Sequence, residues 1–333
     1  MRCNYCEWRC ELSGSKYGIC KMYHEQDGEI QERFPYQWST YTVSHIESFP
    51  FYHAYPGSKS LAIGTVGCNF DCQYCSNAFI AKGEPDTLLE HLFYLTPEKV
   101  VKLALQTGCH NIVFNVNEPT VSIPSLLELS RAARQEGLAM GCLTNGYTTD
   151  EATELLASAF SFFNISLKSI SSDFYRKYTR APNVEPILRN IKRLAANSHV
   201  EVVTPVVPNV NDHELLEIAR FLSSANPDMV WHVFRLLPEY KMKELRYPSI
   251  EALIPVLEEA RQLLPYTYFH NFVGSDWVNT ECTECGTVVI ERLSLGCGGD
   301  RLISFDCQDN SCPECGHRIP MLGGKIEWNQ EVV

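Results

Sequence analysis

The stretch SLAIGTVGCNFDCQYC, residues 60–75, decides the fold of this chain. Its first half is a short apolar run that predicts a buried strand over 60–65. Its second half places three thiols, Cys68, Cys72 and Cys75, directly after that strand. Three clustered thiolates can hold one side of an iron–sulfur cluster, and a set of only three leaves one iron open to a substrate. The alternative is a structural zinc site that takes its fourth ligand from elsewhere in the chain.

Outward from this stretch, short β-rich runs alternate with segments of helical periodicity, which is typical of parallel βα architecture. Further strands are predicted at 111–116, 140–145, 162–168, 200–207 and 230–236. Helices are predicted at 97–107, 123–136, 150–158, 185–196, 212–223 and 250–264. Six βα units are too few for a closed eight-fold barrel. The pattern therefore predicts an α/β fold with an open, partial (β/α)6 barrel over 60–275.

The regular pattern stops at both ends of the barrel. Residues 1–59 read as an irregular, cysteine-rich extension, and 276–333 read as a separate small metal-binding module. Hydrophobic residues at 45% and charged residues at 20% are ordinary for a globular protein, which excludes a disordered or fibrous chain. The formal net charge of −12 disfavours nonspecific nucleic-acid binding, which needs Lys and Arg to neutralise phosphates.

Cysteine is the unusual residue, with 15 copies in a chain of 333 residues. Neither a signal peptide nor an apolar run of membrane-helix length is visible, so a cytoplasmic location without a membrane partner is expected. Reduced, clustered cysteines in that compartment usually bind metal, and structural disulfides are the less favoured alternative. The isolated Cys109 and Cys142 are expected to be ordinary core residues.

Two further cysteine groups predict metal sites. Four thiols in two Cys-x2-Cys-Gly knuckles are typical of a zinc-ribbon or rubredoxin-like site that binds zinc or iron. These tail cysteines are Cys282, Cys285, Cys312 and Cys315. Four more thiols lie near the N-terminus and are the right number for a second closed site, with zinc and a 4Fe–4S cluster both open. These N-terminal cysteines are Cys3, Cys6, Cys10 and Cys20. Cys297 and Cys307 are either spare core thiols or ligands of an added cluster.

The C-x3-C-x2-C motif after a first barrel strand resembles that of the radical S-adenosylmethionine (SAM) enzymes. The resemblance implies that Cys68, Cys72 and Cys75 hold a 4Fe–4S cluster whose open iron is chelated by SAM. It also implies the reaction. An electron from the cluster cleaves SAM to methionine and a 5′-deoxyadenosyl radical, and this radical takes a hydrogen atom from the substrate. Such an enzyme is sensitive to oxygen.

Other strand ends extend this resemblance and imply contacts to SAM. Asn117-Glu118-Pro119 resembles a Gly-Gly-Glu-Pro loop whose backbone receives the cofactor's amino group, with Val116 and Asn117 in place of the glycines. Ser166-Leu167-Lys168 resembles an Asp-x-Lys motif in which the lysine pairs with the cofactor's carboxylate. His232 resembles a histidine that flanks the adenosyl group. The implied cofactor-binding set is Tyr74, Asn117, Glu118, Ser166, Lys168 and His232. Without the resemblance, Glu118 would be interpreted as part of a strand-end turn, Lys168 as a solvated lysine and His232 as a core histidine.

The resemblance covers nearly the whole chain. The N-terminal cysteines, the segment FYHAYPG at 51–57 and the tail cysteines are similar to those of AmmeMemoRadiSam-type radical enzymes, which are related to pyruvate formate-lyase activating enzymes. This implies a peptide or protein substrate and an electron donor of flavodoxin or ferredoxin type. Two alternatives stay open. One is radical modification of a small metabolite, and the other is a noncatalytic iron–sulfur or zinc protein that carries electrons or serves as a docking module.

Overall fold

An eight-stranded sheet runs through the computed structural model, which describes residues 1–14 and 16–327. The strands in chain order are β1 (Tyr23–Gln26), β2 (Glu29–Glu32), β3 (Gln37–Trp38), β4 (Thr40–His45), β5 (Lys59–Gly64), β6 (Phe93–Tyr94), β7 (Asn111–Phe114), β8 (Ala139–Thr144), β9 (Phe162–Ser166), β10 (His199–Val206), β11 (Val230–Arg235), β12 (Thr267–His270), β13 (Thr280–Glu281), β14 (Val288–Ser294) and β15 (Asp300–Phe305). The α-helices are α1 (Ala78–Lys82), α2 (Pro85–Leu88), α3 (Pro97–Gln106), α4 (Ile123–Gln135), α5 (Asp150–Ala159), α6 (Ser172–Tyr178), α7 (Glu185–Ala195), α8 (Leu215–Ala225) and α9 (Ile250–Leu263).

The main sheet is open and almost entirely parallel. Its strand order is β12-β11-β10-β9-β8-β7-β5-β4, and every neighbouring pair is parallel except β4 with β5. Parallel strands need crossover connections, and helices α3, α4, α5, α7, α8 and α9 cover the sheet as expected. All carboxyl ends of the parallel strands therefore lie on one face, which is where barrel enzymes keep their chemistry.

The sheet corrects the predicted six strands in two places. Strand β12 extends the parallel set at one edge, and β4 pairs antiparallel with β5 at the other, with Thr40 opposite Gly64. β4 lies within 1–59, so the prediction of an irregular extension is wrong there and in the hairpin of β1 and β2. The side chains of β4 are half-buried or exposed, because it is an edge strand. An edge strand lacks the apolar run that identified the central strands.

The tail forms a small antiparallel sheet of β13, β14 and β15. Its apolar residues Val289 and Ile290 share a buried cluster with Tyr52 and Tyr268 of the barrel side, so this sheet packs directly on the barrel. The predicted module over 276–333 includes residues 328–333, which lie outside the described residues. The boundaries at 59 and 275 stay predictions. No helix among residues 1–14 and 16–327 is long and apolar enough to span a membrane.

His53 joins the barrel to the tail through its neutral ring. Nδ1 lies 2.7 Å from the carbonyl oxygen of Pro320 and donates to it, while Nε2 accepts from the hydroxyl of Tyr268 at 2.6 Å. Both ring nitrogens are satisfied only when the ring carries one proton. Burial lowers the pKa of His53 to about 3.

The His53 contact predicts a pH-dependent stability. The histidine pKa is lower in the folded chain than in the unfolded chain, so its stabilisation is present above about pH 6.5 and declines as the pH falls towards 3. Between pH 7 and 5.5, this one group should remove about 1.2 kcal/mol from the free energy of unfolding. Denaturant unfolding of wild type and His53→Phe at both pH values measures it. Equal pH dependence in the two chains would contradict the assignment.

Candidate active site

A cavity of about 530 Å³ opens at the carboxyl ends of the parallel strands. The residues predicted for the cluster and the cofactor meet there, with one exception. Those that line it are Cys68, Cys72, Tyr74, Cys75, Asn117, Glu118, Ser166 and Lys168. They come from the segments that follow or end β5, β7 and β9, so the topology of the sheet explains why residues a hundred positions apart converge.

The three loop cysteines, Cys68, Cys72 and Cys75, are carried by a loop that backbone hydrogen bonds hold in place. The N–H groups of Asp71 and Gln73 donate to carbonyls at the end of α6, each over 2.9 Å. The N–H of Phe70 donates to the sulfur of Cys68 over 3.4 Å. A backbone donor aimed at a sulfur favours the thiolate, which is the form that binds iron.

Lys82 is a charged neighbour of this loop that the sequence analysis missed. It ends α1, donates to the carbonyl of Phe70, and lines the same cavity. Burial alone would lower the pKa of Lys82, but the three loop cysteines raise it above its ordinary value. The ammonium therefore stays charged beside the thiolates and offsets their negative charge. Its position seven residues after Cys75 gave no motif by which to recognise it.

Tyr74 presents an unsatisfied donor at the cavity. Its ring is buried, and within the described residues its hydroxyl has no hydrogen-bond partner. Burial raises the pKa of Tyr74 well above its ordinary value, so the hydroxyl keeps its proton. The ammonium of Lys168 lies 5.9 Å from the centre of the same ring. A buried hydroxyl without a partner and a half-buried cation fit a ligand that carries polar and anionic groups, as the amino-acid part of SAM does.

Glu118 uses its carboxylate to hold the walls of the cavity. Its oxygens accept from the Thr144 hydroxyl at 2.8 Å, from the Asn145 N–H at 2.7 Å and from the Thr120 hydroxyl at 3.1 Å. Burial raises the pKa of Glu118, while these donors act to lower it. Because every contact is a donor to oxygen, the arrangement suits the ionised carboxylate. The side chain is therefore a positioning group, which leaves the backbone of this loop for a ligand.

Asn117 and Val116 shape the same loop. The Asn117 amide donates to the carbonyls of Val66 and Gly67 over 3.1 and 3.0 Å, which ties the end of β7 to the approach to Cys68. Val116 has a φ of +69°, a left-handed conformation that is strained for a β-branched residue. Val116 stands where the resemblance to a Gly-Gly-Glu-Pro loop would place a glycine, and its backbone has the left-handed conformation that glycine favours.

His232 is the exception among the predicted residues. It is completely buried in β11 and does not line the cavity. Its Nε2 lies 2.6 Å from a carboxylate oxygen of Glu201, and its Nδ1 lies 3.1 Å from His270. Burial alone would raise the pKa of Glu201, but hydrogen bonds from His199 and His232 hold it well below its usual range. The expectation that His232 flanks the adenosyl group is corrected, because both ring nitrogens contact buried residues away from the cavity.

The tail contributes Cys297 to the cavity. Cys297 is exposed, lines the main cavity, and also lines an adjoining cavity of about 200 Å³. Buried Glu47, His270 and Asp300 line the smaller cavity. Cys307, in contrast, packs against the apolar cluster of the tail. Spacing along the chain could not separate these two thiols, because the distinction depends on where the tail folds against the barrel.

The tail cysteines form a compact metal-binding group. Their four sulfurs all lie within 4.8 Å of one another, with 3.5 Å between Cys282 and Cys315 and 3.6 Å between Cys285 and Cys312. A tetrahedral ion bound at about 2.3 Å from each sulfur needs thiolates about 3.8 Å apart. The group therefore fits one metal ion.

An open parallel sheet with a three-cysteine loop and a cavity at the carboxyl ends of its strands defines an iron–sulfur enzyme of the partial-barrel class. The model of the radical SAM superfamily matches residues 62–222, and the chain belongs to this superfamily. A radical SAM enzyme of this kind binds a 4Fe–4S cluster and SAM. The loop cysteines, Tyr74 and Lys168 are chemically suited to these groups.

Relatives extend the similarity beyond the matched segment. An uncharacterized protein of Methanocaldococcus jannaschii is 30% identical over 331 residues, which cover 97% of this chain and 96% of the relative. A second protein of that organism, named "Putative glycyl-radical enzyme activating enzyme", is 27% identical and is matched over 58% of this chain and 84% of its own length. A "Probable GTP 3′,8-cyclase" of Thermococcus kodakarensis is 27% identical, over 47% of this chain and 50% of the relative.

Proposed function

We propose that this enzyme abstracts a hydrogen atom from a peptide or protein substrate. When bound, the 4Fe–4S cluster and SAM supply a 5′-deoxyadenosyl radical, which removes the hydrogen atom. The observation that carries the proposal is the cavity itself, where the three thiols of one loop meet an unsatisfied tyrosine hydroxyl and a lysine. Three protein ligands leave the cluster the open position that a bound cofactor requires.

The residues of the cavity have distinct roles in this proposal. The loop cysteines hold the cluster, and Lys82 balances their charge. Lys168 pairs with the carboxylate of SAM, and the Tyr74 hydroxyl donates to a polar atom of the cofactor. Ser166, half-buried at the end of β9, offers a hydroxyl to the ribose. Glu118 and Asn117 keep the loops in position.

The peptide or protein class is supported by a relative and by the shape of the site. The second Methanocaldococcus relative is named for the activation of glycyl-radical enzymes, which are proteins. The main cavity continues into the smaller one at Cys297, so a chain segment has room beside the cofactor. A low-potential electron donor of flavodoxin or ferredoxin type completes the proposal.

The substrate is tested by comparing proteins in cells that carry wild type with those in cells that carry Cys72→Ala. We expect mass spectrometry to find a peptide or protein that is modified, or converted to a radical form, only with wild type. The finding of a changed small metabolite with no changed protein would overturn the substrate class and favour the chemistry of the cyclase relatives.

Lys168→Met should weaken SAM binding without removing the cluster. Loss of a charged hydrogen-bonding partner typically costs about 1.5–3 kcal/mol, which is roughly a 10- to 150-fold rise in Kd. Isothermal titration under anaerobic conditions measures this, and the iron content should equal that of wild type. The matched control is Lys177→Met, an exposed lysine of α6, which should bind SAM as wild type does. Unchanged affinity in Lys168→Met would remove this residue from the cofactor site.

A further inference from the structure

The four N-terminal cysteines surround one small enclosed cavity. Within the described residues, the other side chains of this cavity are aromatic, aliphatic or neutral polar, including Tyr5, Tyr23 and Val121. In the part of the chain that the structure describes, no carboxylate or histidine lines this cavity. A metal bound here would therefore have thiolates alone as its charged protein ligands, which is the ligand set of an iron–sulfur cluster or of a structural zinc ion.

The sulfur of each N-terminal cysteine accepts a hydrogen bond from a backbone N–H group. The N–H of Ile19 donates to the sulfur of Cys10 over 3.3 Å. Burial raises the pKa of the Cys3, Cys6 and Cys20 thiols, and hydrogen bonds from the N–H groups of Tyr5, Trp8 and Met22 act in the opposite direction. The loop cysteines show the same arrangement, with Phe70 against Cys68 and Asn77 against Cys75. Each of the four sulfurs thus has a backbone donor of the kind that a metal-bound thiolate accepts.

The spacing of the sulfurs distinguishes a cluster from a single ion. Thiolates that share one tetrahedral zinc lie about 3.8 Å apart. Among the described residues, only the tail cysteines form a group of three or more whose sulfurs all lie within 4.8 Å of one another. No three of the four N-terminal sulfurs lie all within 4.8 Å of one another, and neither do the three loop sulfurs, so neither group has the spacing of a single-ion site. A 4Fe–4S cluster requires wider spacing, because each thiolate binds a different iron.

We infer that Cys3, Cys6, Cys10 and Cys20 hold a second 4Fe–4S cluster, closed by four protein ligands and adjacent to the cluster of the loop cysteines. The inference rests on the proposed function for the identity of its neighbour. On this inference, the N-terminal cysteines bind iron and sulfide, and the tail cysteines bind a single metal ion.

Direct contacts join the two cysteine groups. The carbonyl oxygen of Cys20 lies so close to Gly67, the residue before Cys68, that a Cβ added at Gly67 would be 3.0 Å from it. Asn69, the residue after Cys68, lines the N-terminal cavity, and its carbonyl accepts from the indole N–H of Trp8 over 2.9 Å. The two sites are thus separated by little more than the backbone of residues 67–69.

A cluster that is held by four cysteines and lies next to the SAM-binding cluster is suited to electron transfer. Four protein ligands leave no iron free for a substrate, so the second cluster can only take up and release an electron. One electron from a low-potential carrier protein, of flavodoxin or ferredoxin type, would reduce it from the 2+ to the 1+ state. Passing that electron to the neighbouring cluster would return it to 2+, so that no net charge accumulates.

Metal analysis of two complementary variants tests the inference. One chain carries Cys68→Ala, Cys72→Ala and Cys75→Ala, and the other carries Cys6→Ala and Cys20→Ala. After anaerobic reconstitution, each variant should hold about four sulfide against about eight in wild type, and about four iron fewer than wild type, whichever metal ion the tail cysteines bind. A loop variant that holds no sulfide, or a wild type that holds only about four sulfide, would overturn the second cluster. The wild-type count gives a result even where a variant fails to fold.

The adjacency is tested by electron paramagnetic resonance of the reduced proteins without SAM. Two paramagnetic clusters this close should broaden each other, so the wild-type spectrum should differ from the sum of the two variant spectra. A simple sum would overturn the adjacency. Neither measurement needs SAM cleavage or a substrate. Failure of the second cluster is therefore distinguishable from failure of the proposed function, which would appear as normal iron counts with no SAM chemistry.

Discussion

Cys72→Ala should reduce the formation of 5′-deoxyadenosine by dithionite-reduced protein more than about 100-fold. Loss of a residue that only hydrogen-bonds a metal ligand costs up to about 100-fold, and Cys72 is proposed as a ligand itself. Cys72 is the most deeply buried of the loop cysteines, and alanine removes its sulfur from the set of three cluster ligands. Two thiolates cannot retain the cluster in a position open to SAM. Chromatography of the reaction products after anaerobic reconstitution measures the effect.

The matched control is Cys109→Ala. Cys109 is equally buried, but it lies at the opposite end of the sheet, just before β7, and contacts the Thr107 hydroxyl. Its loss should change the stability by about 1–2 kcal/mol and leave 5′-deoxyadenosine formation at the wild-type rate. Equal activity in Cys72→Ala and Cys109→Ala would remove the loop cysteines from the reaction.

Glu118→Gln should unfold more easily and lose affinity for SAM. In the variant, an NH2 group replaces one carboxylate oxygen of Glu118. A donor that now hydrogen-bonds this oxygen, most directly the Asn145 N–H at 2.7 Å, would then face another donor. A buried donor left without an acceptor costs about 1–3 kcal/mol, and hydrogen bonds to a charged group are at the upper end of that range. Because Thr144 and Asn145 line the cavity, their displacement should raise the Kd for SAM at least about 10-fold.

Denaturant unfolding and anaerobic titration measure these two effects. Glu217→Gln is the control, since Glu217 is exposed on α8 and its substitution should stay within about 0.5 kcal/mol of wild type. Glu118→Gln with wild-type stability and wild-type affinity would show that the carboxylate does not hold the cavity together.

The central strands could be predicted because burial on both faces gives them continuous apolar runs. Each of the six predicted strands begins within one residue of the observed start, as at Phe162 of β9. The edge strands β4 and β12 were missed for physical reasons. β4 is polar and half-exposed, and β12 is only four residues long. Edge strands owe their place to a partner strand, which local sequence does not show.

The site could be predicted where a residue follows a strand at the carboxyl face. By this rule Glu118, Ser166 and Lys168 were expected near the loop cysteines, and all of them line the same cavity; their contacts with SAM stay a prediction. It failed for His232, which faces Glu201 instead, because the direction of a side chain in a strand depends on the register of its neighbours. Lys82 and Cys297 were out of reach, because tertiary packing alone brings them to the cavity.

The central claim is that the cluster of the loop cysteines keeps one iron open for SAM. Electron paramagnetic resonance of the reduced Cys6→Ala/Cys20→Ala chain, in which only this cluster should contribute, tests it most directly. Addition of SAM should shift the g-values, because a new ligand binds iron. The same spectrum before and after addition of saturating SAM would contradict an open iron and, with it, the account of this protein as an enzyme that uses SAM.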